Sequence, residues 1–304
     1  MSAMPSLPPR LLSLIADPLD HGPLEPGDGG AFLAGASGIR YPVEAGIPLL
    51  VAPRGDTGRS TDETFPGEYD DVLQTDRIKA LYGSSGYFNV GFWTSNVESL
   101  VEACDRMVDE LAASVAPGAS VILDVGCGLG AGTARLIGRF PEADVIAVNI
   151  SPWQLGQARG RGVTLAVAGD AARLPFRSGV ADTVIACESP QHFDTRADFL
   201  REAFRVLRPG GTLAMADMLF HDRGPVGQWM LPPENDVRSV EEYGEVLRSA
   251  GFADVFVRDE NERTWLPFCR EMARVFEGHE ERLHSLRDSV SHYVLASAVK
   301  PTAA

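Results

Sequence analysis

The sequence predicts an α/β protein built on a mostly parallel sheet with helices on both faces, and three observations carry that prediction. Short apolar runs suited to buried strands recur near 121–125, 144–149, 163–168, 181–187, 212–217, 253–259 and 291–299, with helical spacing between the first six. Val121-Ile-Leu-Asp-Val-Gly-Cys-Gly-Leu-Gly130 drives one of those runs into a carboxylate and then three glycines at alternate positions, and Ala131 to Arg139 follows as a helix. A composition of 304 residues, 44% hydrophobic and 23% charged, supplies one large core and an appendage rather than two equal domains.

In chain order, residues 1–10 are expected to be a disordered tail. Residues 11–52 read as a small β-rich domain, ending in Ile47-Pro-Leu-Leu-Val51, and residues 53–64, rich in Gly, Asp, Thr and Ser, as a linker. Residues 65–116 are expected to form a helical cap over the mouth of a site. Within them Asn96 to Ala113 carries an apolar helical stripe (Val97, Leu100, Val101, Cys104, Met107, Val108, Leu111) that serves packing. Residues 117–304 hold the alternating strands and helices, with a further helical insertion at 262–288 before the last strand. Ser151-Pro152-Trp153-Gln154 has the form of a capping box, and Arg205 to Gly211 that of a helix stop and turn.

Charge and cysteine content narrow the function classes. A formal net charge of −15 repels nucleic acid and anionic membranes and favours neutral or cationic small molecules. The four cysteines, Cys104, Cys127, Cys187 and Cys269, form no C-x-x-C pair, so neither a structural zinc nor a disulfide framework is expected. With no signal-like N-terminus and no apolar run of membrane length, the expected location is the cytoplasm.

The glycine turn is the expected ligand site, because glycines let backbone N–H groups come close to a ligand at the end of a strand. Gly126 to Ala131 also fits the dinucleotide pattern, which alone discriminates weakly. Asp124 tilts the choice: a carboxylate there would repel a pyrophosphate but suits the ammonium group of S-adenosylmethionine (SAM). The segment resembles motif I of the class I SAM-dependent methyltransferases. The resemblance extends through Val148-Asn-Ile-Ser-Pro-Trp-Gln154, Gly169-Asp-Ala-Ala-Arg-Leu-Pro-Phe176, Glu188-Ser-Pro-Gln-His-Phe193 and Arg205-Val-Leu-Arg-Pro-Gly-Gly211. It is nearest in look to small-molecule O-methyltransferases of antibiotic and sugar modification and to ubiquinone-type C-methyltransferases. It implies a Rossmann-like sheet of seven strands with the last antiparallel. The N-terminal segment resembles the zinc-ribbon-like accessory domain of some methyltransferases, with Asp17 and Asp20 where zinc-binding members carry cysteines. Without thiolates a metal is not expected, and Asp17, Asp20 and His21 read as a solvated turn. The unit is expected to be a metal-free cover, with a homodimer contact through it as a further expectation.

Site residues follow residue by residue. Asp124, Gly126, Cys127, Gly128 and Gly130 are expected around the methionine end of SAM, and Asn149, Ile150 and Gln154 near its ribose. An amide can both donate to and accept from a hydroxyl. Asp170 and the Ala171 N–H suit the adenine, walled by Leu174 or Phe176. Glu188 is expected beside the cationic sulfonium. Tyr87 to Trp93 resembles the segment folded across the cofactor, which places Trp93 on SAM and Phe88 toward the acceptor, with Gln191 and Phe193. His192 is the expected proton acceptor, with Asp217 orienting it or binding the acceptor. The family often carries two adjacent histidines where this chain has Gln191-His192. The leading expectation is SAM-dependent methyl transfer to a hydroxyl of a small molecule in secondary metabolism. C-methylation and a SAM-binding cyclase are the alternatives, and RNA methylation is opposed by the charge.

Overall fold

One mixed sheet runs through the computed structural model of the chain, which describes residues 7–52, 65–222, 224, 231–276, 278 and 280–302. Its strands are β1 (Glu25–Gly27), β2 (Phe32–Ala34), β3 (Arg40–Glu44), β4 (Ile47–Leu50), β5 (Val121–Val125), β6 (Asp144–Asn149), β7 (Leu165–Gly169), β8 (Ala181–Cys187), β9 (Leu207–Phe220), β10 (Ala253–Asp259) and β11 (Val290–Val299). Their spatial order is β1-β2-β3-β4-β7-β6-β5-β8-β9-β11-β10. The helices are α1 (Pro9–Leu14), α2 (Phe65–Leu73), α3 (Asp76–Tyr82), α4 (Leu100–Ala112), α5 (Ala131–Arg139), α6 (Pro152–Arg159), α7 (Arg196–Val206), α8 (Val240–Ser249), α9 (Trp265–Val275) and α10 (Glu280–Ser289). None of the described helices is long and apolar enough to cross a membrane.

Pairing from β4 through β7, β6, β5 and β8 to β9 is parallel, and β11 runs antiparallel between β9 and β10. Every residue of β5 is buried, as expected for a strand covered on both faces. The sheet has eleven strands among the described residues, against the seven expected, because the N-terminal strands join it. β4 pairs in parallel with β7 through Leu49↔Ala168 and Leu50↔Gly169, which covers an edge that would otherwise present unpaired backbone groups. Leu11, Leu14, Ile15, Leu33, Tyr41 and Leu50 share one core cluster with Val148, Val167 and Phe176 of the central sheet. The N-terminal segment therefore contributes to the same sheet and the same core.

Several local expectations differ from what the fold contains. Helix α1 already begins at Pro9, inside the expected tail; residues 1–6, the expected linker at 53–64 and His279 lie outside the described residues. α7 stops at Val206, as expected, and the turn that follows is a bulge inside β9: Gly210 is left-handed (φ 79°), the register with β8 shifts between Ala181↔Leu207 and Thr183↔Thr212, and the Gly210 N–H donates to the Lys300 carbonyl. Asp17 is not in a solvated turn. It is fully buried, and its carboxylate accepts from the Leu19 N–H (2.9 Å), the Tyr41 hydroxyl (2.9 Å) and the Ser37 hydroxyl. The carboxylate thus gathers three donors from two segments.

Asp17→Ala would leave the buried Tyr41 hydroxyl without an acceptor, at a cost of about 1–3 kcal/mol, while the Leu19 N–H and Ser37 hydroxyl lie in exposed residues. The expected outcome is a lower urea midpoint by circular dichroism with the native spectrum kept at zero denaturant. Asp20→Ala, whose partner is the exposed Gly22 N–H, should leave the midpoint nearly in place.

Candidate active site

A cavity of about 560 Å³ opens at the C-terminal ends of β5, β6, β7 and β8, a size common for small-molecule sites. Asp124, Asp170, Glu188 and Asp194 line it, and no lysine or arginine does so among the described residues. Carboxylates so placed favour a cation and oppose a phosphate.

The glycine turn after β5 owes its glycines to backbone shape. Gly126 and Gly130 are left-handed (φ 76° and 86°), and a Cβ would collide with Ser189 and Ala158. At Gly128 a Cβ would meet nothing within 4 Å, so the turn keeps open space there. The Gly126 and Cys127 N–H groups both donate to the Val148 carbonyl (2.8 and 3.2 Å). Those two amides tie the turn to β6 and are not offered to a ligand, contrary to expectation. Cys127 lines the cavity beside them. Asp124 is 5% exposed and accepts from the Thr133 hydroxyl at 2.5 Å; burial raises its pKa to about 6, against the lowering effect of that hydroxyl.

At the end of β6, Asn149, Ile150 and Gln154 line the cavity. Ser151 caps α6 by accepting from the Gln154 N–H at 3.2 Å, with Pro152 at the first helical position. The Gln154 side chain does not return to the cap. Its Oε1 accepts from Asn149 Nδ2 (3.0 Å), and its Nε2 donates to Asp70 of α2 (2.6 Å). After β7, Asp170 caps a short 3-10 turn by accepting from the Ala172 N–H, and it lines the cavity with Ala171. Leu174 and Phe176 do not wall this region, because both are fully buried in the core beneath it. Val51 and Ala52, which follow β4, line the cavity instead. Nothing in their own sequence marks them, since only the β4–β7 pairing brings them there.

Glu188 stands at the end of β8 with a left-handed φ of 51°, unusual for a non-glycine residue. Its Oε1 accepts from the Val90 N–H (2.8 Å) and the Tyr293 hydroxyl (2.6 Å). Burial raises its pKa to about 7, offset in part by those two donors. His192, Phe193 and Phe88 also line the cavity. Tyr69 of α2 sets its ring edge toward both His192 (centroids 5.7 Å) and Phe88 (5.8 Å). Tyr69 lies 123 residues from His192 in sequence, and no local pattern announces the contact.

Besides Leu174 and Phe176, four expected site residues do not line the cavity: Gly130, whose backbone sits against Ala158, and Trp93, Gln191 and Asp217. Trp93 donates its indole N–H to the Val90 carbonyl (2.9 Å) and its backbone N–H to the Arg263 carbonyl (2.6 Å), which holds the ring in the packing beside α9. Gln191 is 2% exposed; its Nε2 donates to the Glu188 carbonyl, and its Oε1, without a hydrogen-bond partner, faces a separate small cleft beside Arg196 and Asn235. Asp217 is fully buried and touches neither His192 nor the cavity. It accepts from Arg196 Nε (2.7 Å), the Tyr243 hydroxyl (2.8 Å) and the Met218 N–H (2.9 Å). Arg196 in turn donates to the Asn235 carbonyl, and Asn235 Nδ2 donates to the carbonyls of Gln191 (3.0 Å) and Phe193 (2.8 Å). The buried ion pair thus braces the segment carrying His192 from behind.

Comparison with known proteins agrees with this geometry. A family described as "Methyltransferase domain" matches residues 123–215. The chain is 31% identical over 260 residues to the erythromycin 3''-O-methyltransferase of Saccharopolyspora erythraea, covering 71% of this chain and 84% of that one. It is also 31% identical over 225 residues to the 27-O-demethylrifamycin SV methyltransferase of Amycolatopsis mediterranei, covering 68% and 80%. Among solved structures, the [4+2]-cyclase SpnF superposes with a TM-score of 0.62 at 26% identity over 78% of this chain and 96% of that one. The chain belongs to the SAM-dependent methyltransferase family, and SAM is its cofactor. The residues present fit that cofactor, since its two positive groups would meet a cavity with four carboxylates and, among the described residues, no lysine or arginine.

With the ammonium group of SAM beside Asp124, as the sequence leads one to expect, binding would require the ionised carboxylate, and burial raises its pKa to about 6. Affinity for SAM should therefore be full well above pH 6 and fall as the pH drops through about 6. Asp124→Asn should weaken SAM binding about 30-fold or more and flatten that limb, because it removes one partner of a desolvated charge pair. Titration calorimetry between pH 5 and 8 reads both effects. A wild-type affinity independent of pH would contradict the assignment.

Proposed function

We propose that the enzyme transfers the methyl group of SAM to a hydroxyl of an uncharged or cationic small molecule, with the His192 imidazole accepting the hydroxyl proton. The observation that carries this reading is the cavity lining: four carboxylates, an imidazole, aromatic rings from the cap, and no lysine or arginine among the described residues. Among the described residues an anionic acceptor such as a diphosphate would meet four carboxylates and a single imidazole. The net charge of −15 likewise argues against nucleic acid. The erythromycin relative is named for transfer to an oxygen, which supports a hydroxylated natural product as the acceptor class here.

Bound in this cavity, SAM supplies an electrophilic methyl on a sulfonium. The protein's share is position and proton management. Asp124 faces the ammonium group, Asn149 and Gln154 the ribose hydroxyls, and Asp170 with Ala171 the adenine. Glu188 places a carboxylate at the centre, held by Val90 and Tyr293. Phe88, Phe193 and Tyr69 exclude water from the acceptor side. A hydroxyl is a poor nucleophile until its proton leaves, and a ring nitrogen of His192 takes that proton. Gln191 and Asp217 have no contact with the acceptor in this reading; Asp217 acts by holding the backbone on either side of His192 through Arg196 and Asn235. A second reading, a ring-forming reaction in the same cavity, draws support from the likeness to SpnF. It differs in outcome, because no methyl group leaves SAM.

His192→Ala should lower turnover by about 10²–10⁴-fold with SAM affinity within about twofold of wild type, the usual loss for a general base. The assay follows isotopically labelled methyl from SAM into a panel of hydroxylated glycosides and polyketides. Label transfer at the wild-type rate in His192→Ala would remove it as the base. Acceptor conversion without label transfer would favour the ring-forming reading.

A further inference from the structure

The end of β6 carries an amide, Asn149, at the position where an acid would suit the ribose hydroxyls, and the chain brings a carboxylate to it from elsewhere. Asp70 lies on cap helix α2, 79 residues upstream. Its Oδ2 accepts from the Ser151 hydroxyl at 2.7 Å and its Oδ1 from Gln154 Nε2 at 2.6 Å. Gln154, Asn149 and Ser151 are 3%, 8% and 1% exposed, so their hydrogen bonding is settled inside the protein.

The polarity of that network follows from one fact: an ionised carboxylate only accepts hydrogen bonds. Gln154 must therefore turn its NH₂ toward Asp70, which turns its Oε1 toward Asn149. Asn149 must answer with its NH₂, and Nδ2 donates to Gln154 Oε1 at 3.0 Å. Asn149 Oδ1 then points the other way and accepts from the Ser151 N–H at 3.0 Å. Ser151 spends its only hydroxyl hydrogen on Asp70 and still accepts from the Gln154 N–H. The second hydrogen on Asn149 Nδ2 has only the Cys127 sulfur, a weak acceptor that a ligand hydroxyl can displace, and one lone pair on Oδ1 remains. Without the carboxylate the Gln154 amide is free to turn over, while Asn149 keeps its bond from the Ser151 N–H; Asn149 Nδ2 then no longer has a fixed acceptor at Gln154, and its hold on the donor offered to the ligand loosens.

We infer that Asp70 is a positioning residue for the cofactor's ribose: from α2 it fixes the Gln154 amide, and together with the Ser151 N–H it holds Asn149 in the orientation that presents a donor and an acceptor together to a vicinal diol. The inference rests on the reading that Asn149 faces the ribose. It assigns α2 two tasks on successive residues, since Tyr69 lines the cavity beside His192.

The test is titration calorimetry of the full chain with S-adenosylhomocysteine and with its 2′,3′-dideoxyribose analogue, which lacks the diol. Asp70→Asn is expected to weaken S-adenosylhomocysteine about tenfold while changing the analogue less than about twofold, so that discrimination between them collapses. The charge-exchanged pair Asp70→Asn with Gln154→Glu restores an acceptor between two amides and should recover most of the discrimination. A merely structural role would weaken both ligands alike, and that result would overturn the inference, as would an Asp70→Asn protein that binds both as wild type does. Asn149→Ala separates the underlying reading. If it leaves discrimination intact, Asn149 does not face the ribose. If it abolishes discrimination and Asp70→Asn does not, only the role of Asp70 fails. Asp70→Glu provides a second variant that keeps the charge and should retain discrimination within about threefold.

Discussion

Burial of carboxylates at the carboxyl ends of parallel strands is the constraint around which this molecule is arranged. Asp124 and Glu188 end adjacent strands β5 and β8, and burial pushes both toward protonation, to about 6 and about 7. Neither has a basic side chain to neutralise it. Each instead has neutral donors, Thr133 for one and Val90 with Tyr293 for the other. Such donors keep the groups tolerable in the free protein without cancelling their charge, so attraction for a cationic ligand persists. A salt bridge at either position would have stabilised the empty cavity and weakened the reason for a cofactor to enter it.

The same economy appears where charge is fully neutralised. Asp217 and Arg196 form a buried pair with no access to the cavity, and the satisfied carboxylate makes no demand on a ligand. Its neighbours Asn235 and Tyr243 complete the bonding, and the bracing reaches the carbonyls flanking His192. Breaking such a pair costs more than the pair contributes, because a lone charge would be left in the core. Two acids on neighbouring strand ends, Glu188 and Asp217, thus have opposite uses, and the difference lies entirely in whether an arginine is within reach.

The N-terminal segment and α2 both contribute to the cavity lining, through Val51, Ala52 and Tyr69. β4 extends the sheet past β7 and delivers Val51 and Ala52 beside Asp170, while α2 reaches over the end of β6. Asp17 does for the N-terminal strands what a metal would do in a ribbon bound by thiolates: it joins a turn, a loop and a strand at one buried point. The segment also leans on the central sheet for its core.

The sequence by itself determined the central sheet, its strand positions within a few residues, the glycine turn and the carboxylates at the strand ends. These are local or periodic properties: alternate burial, φ values only glycine adopts easily, and an acid two residues before a turn. It also placed His192, Phe88 and Phe193 at the cavity through the segments that carry them. What only the tertiary structure decided depends on contacts between distant residues. Asp217 and Gln191 sit in the right segments, but Arg196 and the Glu188 carbonyl turn their side chains away from the cavity. Trp93 follows its hydrogen bonds into the packing by α9. Asp70, Tyr69, Val51 and Ala52 reach the site across tens to more than a hundred residues, and nothing in their own neighbourhoods reports it. Side-chain direction at a buried polar position is set by which donor or acceptor the fold brings within about 3 Å, and a one-dimensional pattern does not contain that partner.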